Sequence, residues 1–145
     1  AAMSTSKDIA KQKFGIDLAP MPDTETALMI NVDSAKAVET CLKLRESGFS
    51  ILTMLTAKCK DNGFEMVYML DNWETRERVF VFASLPAQDP KIKSLTPDWE
   101  AADWLEREVY DMFGIVFEGH PNLQRIITPE NFTAHPLRKD FTDTD

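Results

Sequence analysis

Four side chains of this 145-residue sequence have the chemistry of metal ligands: Glu108, Asp111, His120 and His135. Two imidazoles and two carboxylates form a usable ligand set, and Glu108 and Asp111 stand three residues apart, on one face of a helix. Metal-binding helices, however, usually place their ligands as Glu-x-x-His or His-x-x-x-His, and neither pattern occurs here. We therefore expect a hydrated or salt-bridged helix face and hydrogen-bonded histidines, with a stand-alone metalloenzyme as the less favoured alternative.

Other patterns that would support catalysis or cofactor binding are missing from the sequence. Cys41 and Cys59 are far apart and neither has a second cysteine nearby, which argues against a zinc site or an iron–sulfur cluster held by this chain. No serine lies in a Gly-x-Ser-x-Gly turn, and the five glycines form neither a Gly-x-Gly-x-x-Gly motif nor a Walker loop. We expect free cysteines, no catalytic residue and no cofactor in this chain.

The composition predicts one globular domain with an acidic surface. Hydrophobic residues make up 43% and charged residues 28%, close to the average soluble protein. The net charge of -8 and the pI of about 4.8 repel phosphates and anionic lipids, so we expect no nucleic-acid partner. Because no apolar run approaches the roughly 18 to 20 residues that span a bilayer, we expect membrane association only through other subunits.

Hydrophobic periodicity and turn residues predict an α+β domain over residues 4–113, with a mostly antiparallel sheet of about four strands packed with helices. Asn62 and Gly63 predict a tight hairpin, and the apolar run 79–83 predicts a central strand. The predicted helices are 4–14, 34–47 and 97–113, and the predicted strands are 26–32, 50–59, 64–71 and 78–85.

The start and the inward face of the later helices are predicted from local chemistry. Asp33 or Ser34 is expected to cap the second helix. Thr96 is expected to cap the third, with Pro97 in its first position, where a missing N–H costs nothing. Three residues of the second helix are predicted to face inward: Ala35, Val38 and Leu42.

The segment 114–145, which we call the docking arm, differs from the rest of the chain. Its apolar residues are irregularly spaced and interrupted by Gly119, Pro121, Pro129 and Pro136. Such a segment forms no core of its own, so we expect it to lie along its domain or along another protein.

Cations of the docking arm have apolar neighbours. Arg138 lies next to Leu137 and close to Phe141, a composition typical of interface anchors, and Arg125 precedes two isoleucines. A guanidinium can form two parallel bonds to a partner carboxylate. A solvated charge cluster is the alternative interpretation.

The segment Glu106 to Phe141 resembles the signature of the thirty-kilodalton subunit family of respiratory complex I, the NADH-quinone oxidoreductase. The resemblance rests on four stretches with matching spacing: Glu106–Ile115, Gly119–Pro121, Arg125–Ile127 and His135–Phe141.

This resemblance implies a cofactor-free subunit in the peripheral arm of an NADH-quinone oxidoreductase, on the cytoplasmic side of the inner membrane. Such a subunit packs against the large subunit of the forty-nine-kilodalton type, while neighbouring subunits hold iron–sulfur clusters and the complex couples quinone reduction to proton translocation. The runner-up is the equivalent subunit of an energy-converting hydrogenase or formate hydrogenlyase. The predicted partner-interface residues are Glu106, Arg107, Glu108, Asp111, His120, Pro121, Arg125, His135, Arg138, Lys139 and Phe141.

Overall fold

The computed structural model describes residues 5–22, 27–60, 62–121 and 123, which form three α-helices and seven strands. The helices are α1 (Ser6–Phe14), α2 (Ala37–Glu46, after a 3-10 turn at Ser34–Lys36) and α3 (Ala101–Phe113). The strands are β1 (Ala19–Pro20), β2 (Ala27–Asp33), β3 (Ile51–Lys60), β4 (Gly63–Asp71), β5 (Arg78–Pro86), β6 (Lys91–Lys93) and β7 (Val116–Glu118). Among these residues, no helix has the length and apolar character needed to cross a membrane.

The main sheet has five strands in the order β1-β2-β5-β4-β3. Within this sheet, only β2 and β5 pair in parallel, so the predicted α+β class with a mostly antiparallel sheet is confirmed. The predicted central position of the apolar strand is also confirmed, because β5 lies between β2 and β4. The sheet has one strand more than predicted because Ala19 and Pro20 form a two-residue edge strand. Proline is tolerated at the edge of a sheet.

Gly63 closes the predicted hairpin between β3 and β4. A Cβ atom at this position would lie 2.1 Å from the carbonyl oxygen of Leu85 on the neighbouring strand β5. Glycine is therefore required here because the backbone of β5 approaches too closely for any side chain.

The core lies between one face of the sheet and the helices. Tyr68 and Val81 are paired across β4 and β5, and both are fully buried on this face. On the opposite face, the rings of Phe80 and Phe82 stack with centroids 6.3 Å apart and are only half-buried. Cys41 is buried in the core, and neither Cys41 nor Cys59 forms a disulfide, as expected.

Helix α2 begins later than predicted, and its most deeply buried residues are not the predicted ones. It starts at Ala37 with no side-chain cap from Asp33, so the capping prediction is wrong. The 3-10 turn before it has a tighter winding than an α-helix, which changes the phase of the face. Ala35 is exposed, so its inward prediction is wrong, whereas Val38 and Leu42 are half-buried and pack against the core as predicted. The buried residues are instead Ala37, Thr40, Cys41 and Leu44.

Helix α3 begins at Ala101, so the prediction of Thr96 as its cap and Pro97 as its first residue is wrong. Contacts with other elements hold the preceding residues in turns. The indole N–H of Trp99 donates a 2.9 Å hydrogen bond to the carbonyl oxygen of Ser50, and Arg45 donates a 3.1 Å bond to the carbonyl oxygen of Asp98. These long-range bonds outweigh the local preference for an earlier start.

The beginning of the docking arm belongs to the folded domain. Strand β7 pairs in parallel with β6, and Ile115 and Phe117 are 0% and 2% exposed. For β7 the docking arm therefore lies along its own domain, one of its two expected placements, but neither β6 nor β7 was among the predicted strands. Each has only three residues, too few to produce a recognisable period in the sequence.

Candidate partner interface on helix α3

Helix α3 has one buried and one exposed side, because its apolar residues recur at helical spacing. The buried side packs against β3 and β7. On the other side the indole of Trp104 is 56% exposed. The buried residues are Ala102, Glu106, Val109, Asp111 and Phe113.

Glu106 is fully buried and links α3 to the segment that precedes this helix. Its carboxylate oxygens accept 2.6 Å hydrogen bonds from the Ser94 hydroxyl and from the backbone N–H of Leu95. Burial raises the pKa of Glu106 to about 7; the two hydrogen bonds oppose this shift, and the charge of Asp103 adds to it. With no exposed surface, Glu106 is placed to orient the start of the helix from inside the domain.

The other α3 residues predicted at the interface differ in exposure. Asp111 is also fully buried, near the end of the helix. Arg107 and Glu108 are half-buried. The guanidinium carbon of Arg107 lies 5.8 Å from the ring centroid of Trp104, in a cation–π contact.

Trp104 was not among the predicted interface residues, although it lies one turn before Glu108, which was. The signal that could have identified it is a large aromatic residue on the polar side of an amphipathic helix. Trp104 and Arg107 are three residues apart and therefore neighbours on the helix surface. Together they form an exposed aromatic-cation pair.

An open groove of about 250 Å³ runs between α3 and β3. Glu108 lines it together with apolar residues of both elements, among them Leu105 and Met112 of α3 and Met54 of β3. The outer surface of α3 thus combines the Trp104–Arg107 pair with a shallow apolar groove that carries one carboxylate.

His120 attaches the docking arm to the first turn of α3. Its side chain is fully buried, and Nε2 lies 3.1 Å from the carbonyl oxygen of Asp103. The same nitrogen is 3.2 Å from Asp103 Oδ1, without hydrogen-bond geometry. Pro121 is exposed, and Leu123 packs half-buried against the core.

The three proposed metal ligands that lie in the described ranges are not brought together. Asp111 is eight residues after Asp103, the residue that contacts His120, which corresponds to about 12 Å along a helix. Within the described ranges no three His, Cys, Asp or Glu residues are grouped as a metal site would require. His135 lies outside these ranges.

Five predicted interface residues lie outside the described residues, so their roles stay predictions. They are Arg125, His135, Arg138, Lys139 and Phe141.

The sequence profile of the family described as respiratory-chain NADH dehydrogenase, 30 Kd subunit, matches residues 30–145. This chain belongs to that family. The match includes α3, β7 and the whole docking arm, and it confirms the resemblance recognised in the sequence.

Relatives within this family are subunits of NADH-quinone oxidoreductases. Subunit 5 of the enzyme from Thermus thermophilus is 49% identical over 83 residues, 54% of this chain but only 40% of that relative's length. The corresponding NADH-quinone oxidoreductase subunit from Moorella thermoacetica is 43% identical over 117 residues, 79% of this chain and 78% of the relative. These relatives are parts of multi-subunit complexes, which implies that a member of this family has protein partners.

Two solved structures share the fold of this family member. A trypsin-resistant fragment, residues 1–134, of Nqo5 superposes with a TM-score of 0.65 at 31% identity, covering 79% of this chain and 93% of that one. A chain of the membrane-bound sulfane sulfur reductase, an archaeal respiratory membrane complex, superposes with a TM-score of 0.80 at 26% identity. That alignment covers 93% of this chain and 82% of the archaeal chain.

Proposed function

We propose that this chain is a peripheral, cofactor-free assembly subunit of a complex I-like NADH-quinone oxidoreductase, which docks on the large subunit of the forty-nine-kilodalton type. The observation that carries the proposal is the family match over residues 30–145, because it includes the docking arm as well as the domain. The segment that we propose to dock is thus shared with a family whose relatives are subunits of complexes.

The exposed side of α3 supplies a chemical basis for docking. Tryptophan and arginine are enriched among the residues that contribute most to protein–protein affinity. Trp104 is held by Arg107, so its ring is partly ordered before a partner binds. The groove beside β3 adds apolar area next to this pair.

His120 fixes the point at which the arm leaves the domain. Its ring is buried and contacts Asp103, and Leu123 packs against the core, so the start of the arm is held to the domain at two points. Ordering a segment before binding lowers the entropy that association must overcome. The arm and the outer side of α3 would therefore meet the partner as one continuous surface.

In this proposal the redox chemistry belongs to neighbouring subunits. They would hold the iron–sulfur clusters and the quinone site, on the cytoplasmic side of the membrane, while this chain contributes contact surface and positions the large subunit. Glu106 and Asp111 act from inside the domain by shaping α3, and Arg125, His135, Arg138, Lys139 and Phe141 contact the partner.

A second candidate is the equivalent subunit of a membrane-bound complex with different redox chemistry, such as an energy-converting hydrogenase. The TM-score of 0.80 with the archaeal sulfane sulfur reductase chain supports this second candidate. The sequence of the large partner separates the two candidates, since four nickel-ligating cysteines in that partner would mean a hydrogenase.

The docking proposal is tested by copurifying this chain with the large subunit encoded beside it. The truncation must begin at residue 122, because removal from residue 115 would delete the buried Ile115 and Phe117. We expect loss of residues 122–145 to weaken binding at least tenfold while the far-ultraviolet circular dichroism stays unchanged. Binding at full affinity by the truncated chain would show that the arm does not dock.

A further inference from the structure

The loop between β4 and β5, Asn72–Glu77, presents a tryptophan to solvent. Trp73 is 78% exposed, more than the other exposed large hydrophobic residue among those described, Trp104. The loop lies at the end of the sheet where Asp71 and Arg78 form an ion pair at 2.8 Å. It lines an open pocket of about 440 Å³.

Hydrogen bonds within the loop hold it in one conformation. The side-chain oxygen of Asn72 accepts from the backbone N–H groups of Glu74 (2.9 Å) and Thr75 (3.2 Å). The Asn72 backbone carbonyl accepts from the N–H of Arg76 at 2.8 Å, and its N–H donates to the carbonyl of Glu77 at 2.9 Å. An asparagine that bonds to the following backbone in this way stabilises a turn.

Contacts with α1 hold the same loop from outside. The Glu77 carboxylate accepts hydrogen bonds from the N–H groups of Ser6 (2.7 Å) and Lys7 (3.1 Å), at the start of the helix. The Asn72 side-chain amide donates a 2.6 Å bond to the Ser6 hydroxyl. The exposed indole therefore stands on a turn that is fixed on both sides.

Arg76 adds a positive charge in an unfavourable backbone conformation. Its φ angle is 64°, in the left-handed region that residues with a Cβ atom rarely adopt. Arg76 is exposed, and no ion pair joins its guanidinium to any part of the chain that the structure describes, whereas Arg78 is paired with Asp71. Backbone strain of this kind tends to occur at functional sites.

We infer that Asn72–Glu77 is a second docking element, and that its occupant is a neighbouring protein subunit with an apolar pocket for Trp73 and a carboxylate for Arg76. A rigid turn presents tryptophan and arginine, two of the three residue types enriched among those that dominate interface energy, at low entropic cost. An anionic membrane surface fits less well, because the chain carries a net charge of -8. The inference rests on the proposed function only in taking the occupant from the same assembly.

This element is separate from the surface on α3. The loop bonds to α1, whereas α3 packs against β3 and β7. A test that rejects docking at Trp73 therefore leaves docking through the arm untouched, and the reverse also holds.

Photocrosslinking in the intact complex tests the occupant. Trp73 is replaced by p-benzoylphenylalanine in the full chain, the complex is assembled in its native membrane and irradiated, and crosslinked peptides are identified by mass spectrometry. We expect a crosslink to a peptide of another subunit that contains Asp or Glu. Crosslinks to lipid alone, or none, would overturn the inference. The two proposals have separate outcomes. If the chain truncated at residues 122–145 still binds the large subunit and the crosslink from position 73 persists, the loop docks and the arm does not.

Three variants separate docking from folding. Trp73→Ala is expected to lower retention of the chain in the salt-washed complex at least fivefold, with an unchanged melting temperature. Glu74→Ala, in the same loop, serves as the control because its described bond is made by the backbone N–H. Arg76→Gly relieves the left-handed strain, so the isolated chain should melt at a higher temperature while its retention falls. Wild-type retention of both Trp73→Ala and Arg76→Gly would show that the loop does not dock.

Discussion

A carboxylate oxygen of Glu106 accepts a 2.6 Å hydrogen bond from the backbone N–H of Leu95, inside the domain and without exposure to solvent. The other oxygen binds the hydroxyl of Ser94, which lies 2.7 Å from that of Thr96. When ionised, Glu106 can only accept from Ser94; when protonated, it can donate to it, and Ser94 can then donate to Thr96. Protonation reverses this chain of bonds without breaking it.

Glu106→Gln is expected to remove a pH dependence of stability. The folded protein raises the pKa of Glu106 from 4.5 to about 7, so between these values the folded state binds more protons than the unfolded state. The free energy of unfolding therefore falls as pH rises from 4.5 to 7, by about 3 kcal/mol from this group, and stays level above it. Urea denaturation of both chains across this range measures the difference. If the difference in free energy of unfolding between wild type and variant did not change with pH, the raised pKa of Glu106 would be contradicted.

Gly63→Ala is expected to destabilise the domain more than Gly15→Ala does. Both glycines have positive φ angles, but a Cβ at Gly63 would collide with the carbonyl oxygen of Leu85, whereas nothing lies within 4 Å at Gly15. Alanine at Gly15 bears only the backbone cost of about 1 to 2 kcal/mol. At Gly63 overpacking adds roughly 1 to 3 kcal/mol. Thermal unfolding compares the stability of the two variants. Equal losses of stability would contradict the close approach of the Leu85 carbonyl oxygen to Gly63.

Trp104→Ala is expected to weaken binding to the large subunit by about 2 kcal/mol, which is more than tenfold, because an exposed aromatic residue leaves the interface. Isothermal titration with the purified partner measures the change. Glu100→Ala, exposed one turn earlier, is the matched control and should bind normally. An unaltered dissociation constant for Trp104→Ala would remove α3 from the proposed interface.

His120→Leu is expected to loosen the junction between the domain and the docking arm. The buried contact to the Asp103 carbonyl is lost, at a cost of about 1 kcal/mol. Amide hydrogen exchange of β7 should accelerate roughly fivefold, while Pro121→Ala, at an exposed neighbour, changes little. Unchanged protection of Val116–Glu118 would mean that His120 does not hold this strand.

Local chemistry was sufficient to predict some elements and not others. The hairpin at Gly63 and the central strand β5 were predicted, because a turn and a fully apolar run are visible within a few residues. The start of α3 was not, since it depends on Trp99 reaching the carbonyl oxygen of Ser50, far away in the sequence. Strands β6 and β7 escaped prediction because burial of two short segments depends on their pairing with each other.

The interface predictions show the same limit. Carboxylates are rarely buried, so the sequence alone gives no reason to expect a fully buried Glu106. Its burial depends on two donors, Ser94 and Leu95, which lie in a separate turn. Trp104 was overlooked because an isolated tryptophan on a helix usually belongs to the core.

The parallel pairing of β2 with β5 has a kinetic consequence. The strands β3, β4 and β5 pair with their neighbours in the chain, but Ala27 meets Arg78 only after about 50 residues of intervening chain have been closed into a loop. Distant pairings of this type form slowly. We expect the β3-β4-β5 meander to form first and β2 to join it last, so that until then one edge of the central strand is open to other polypeptides.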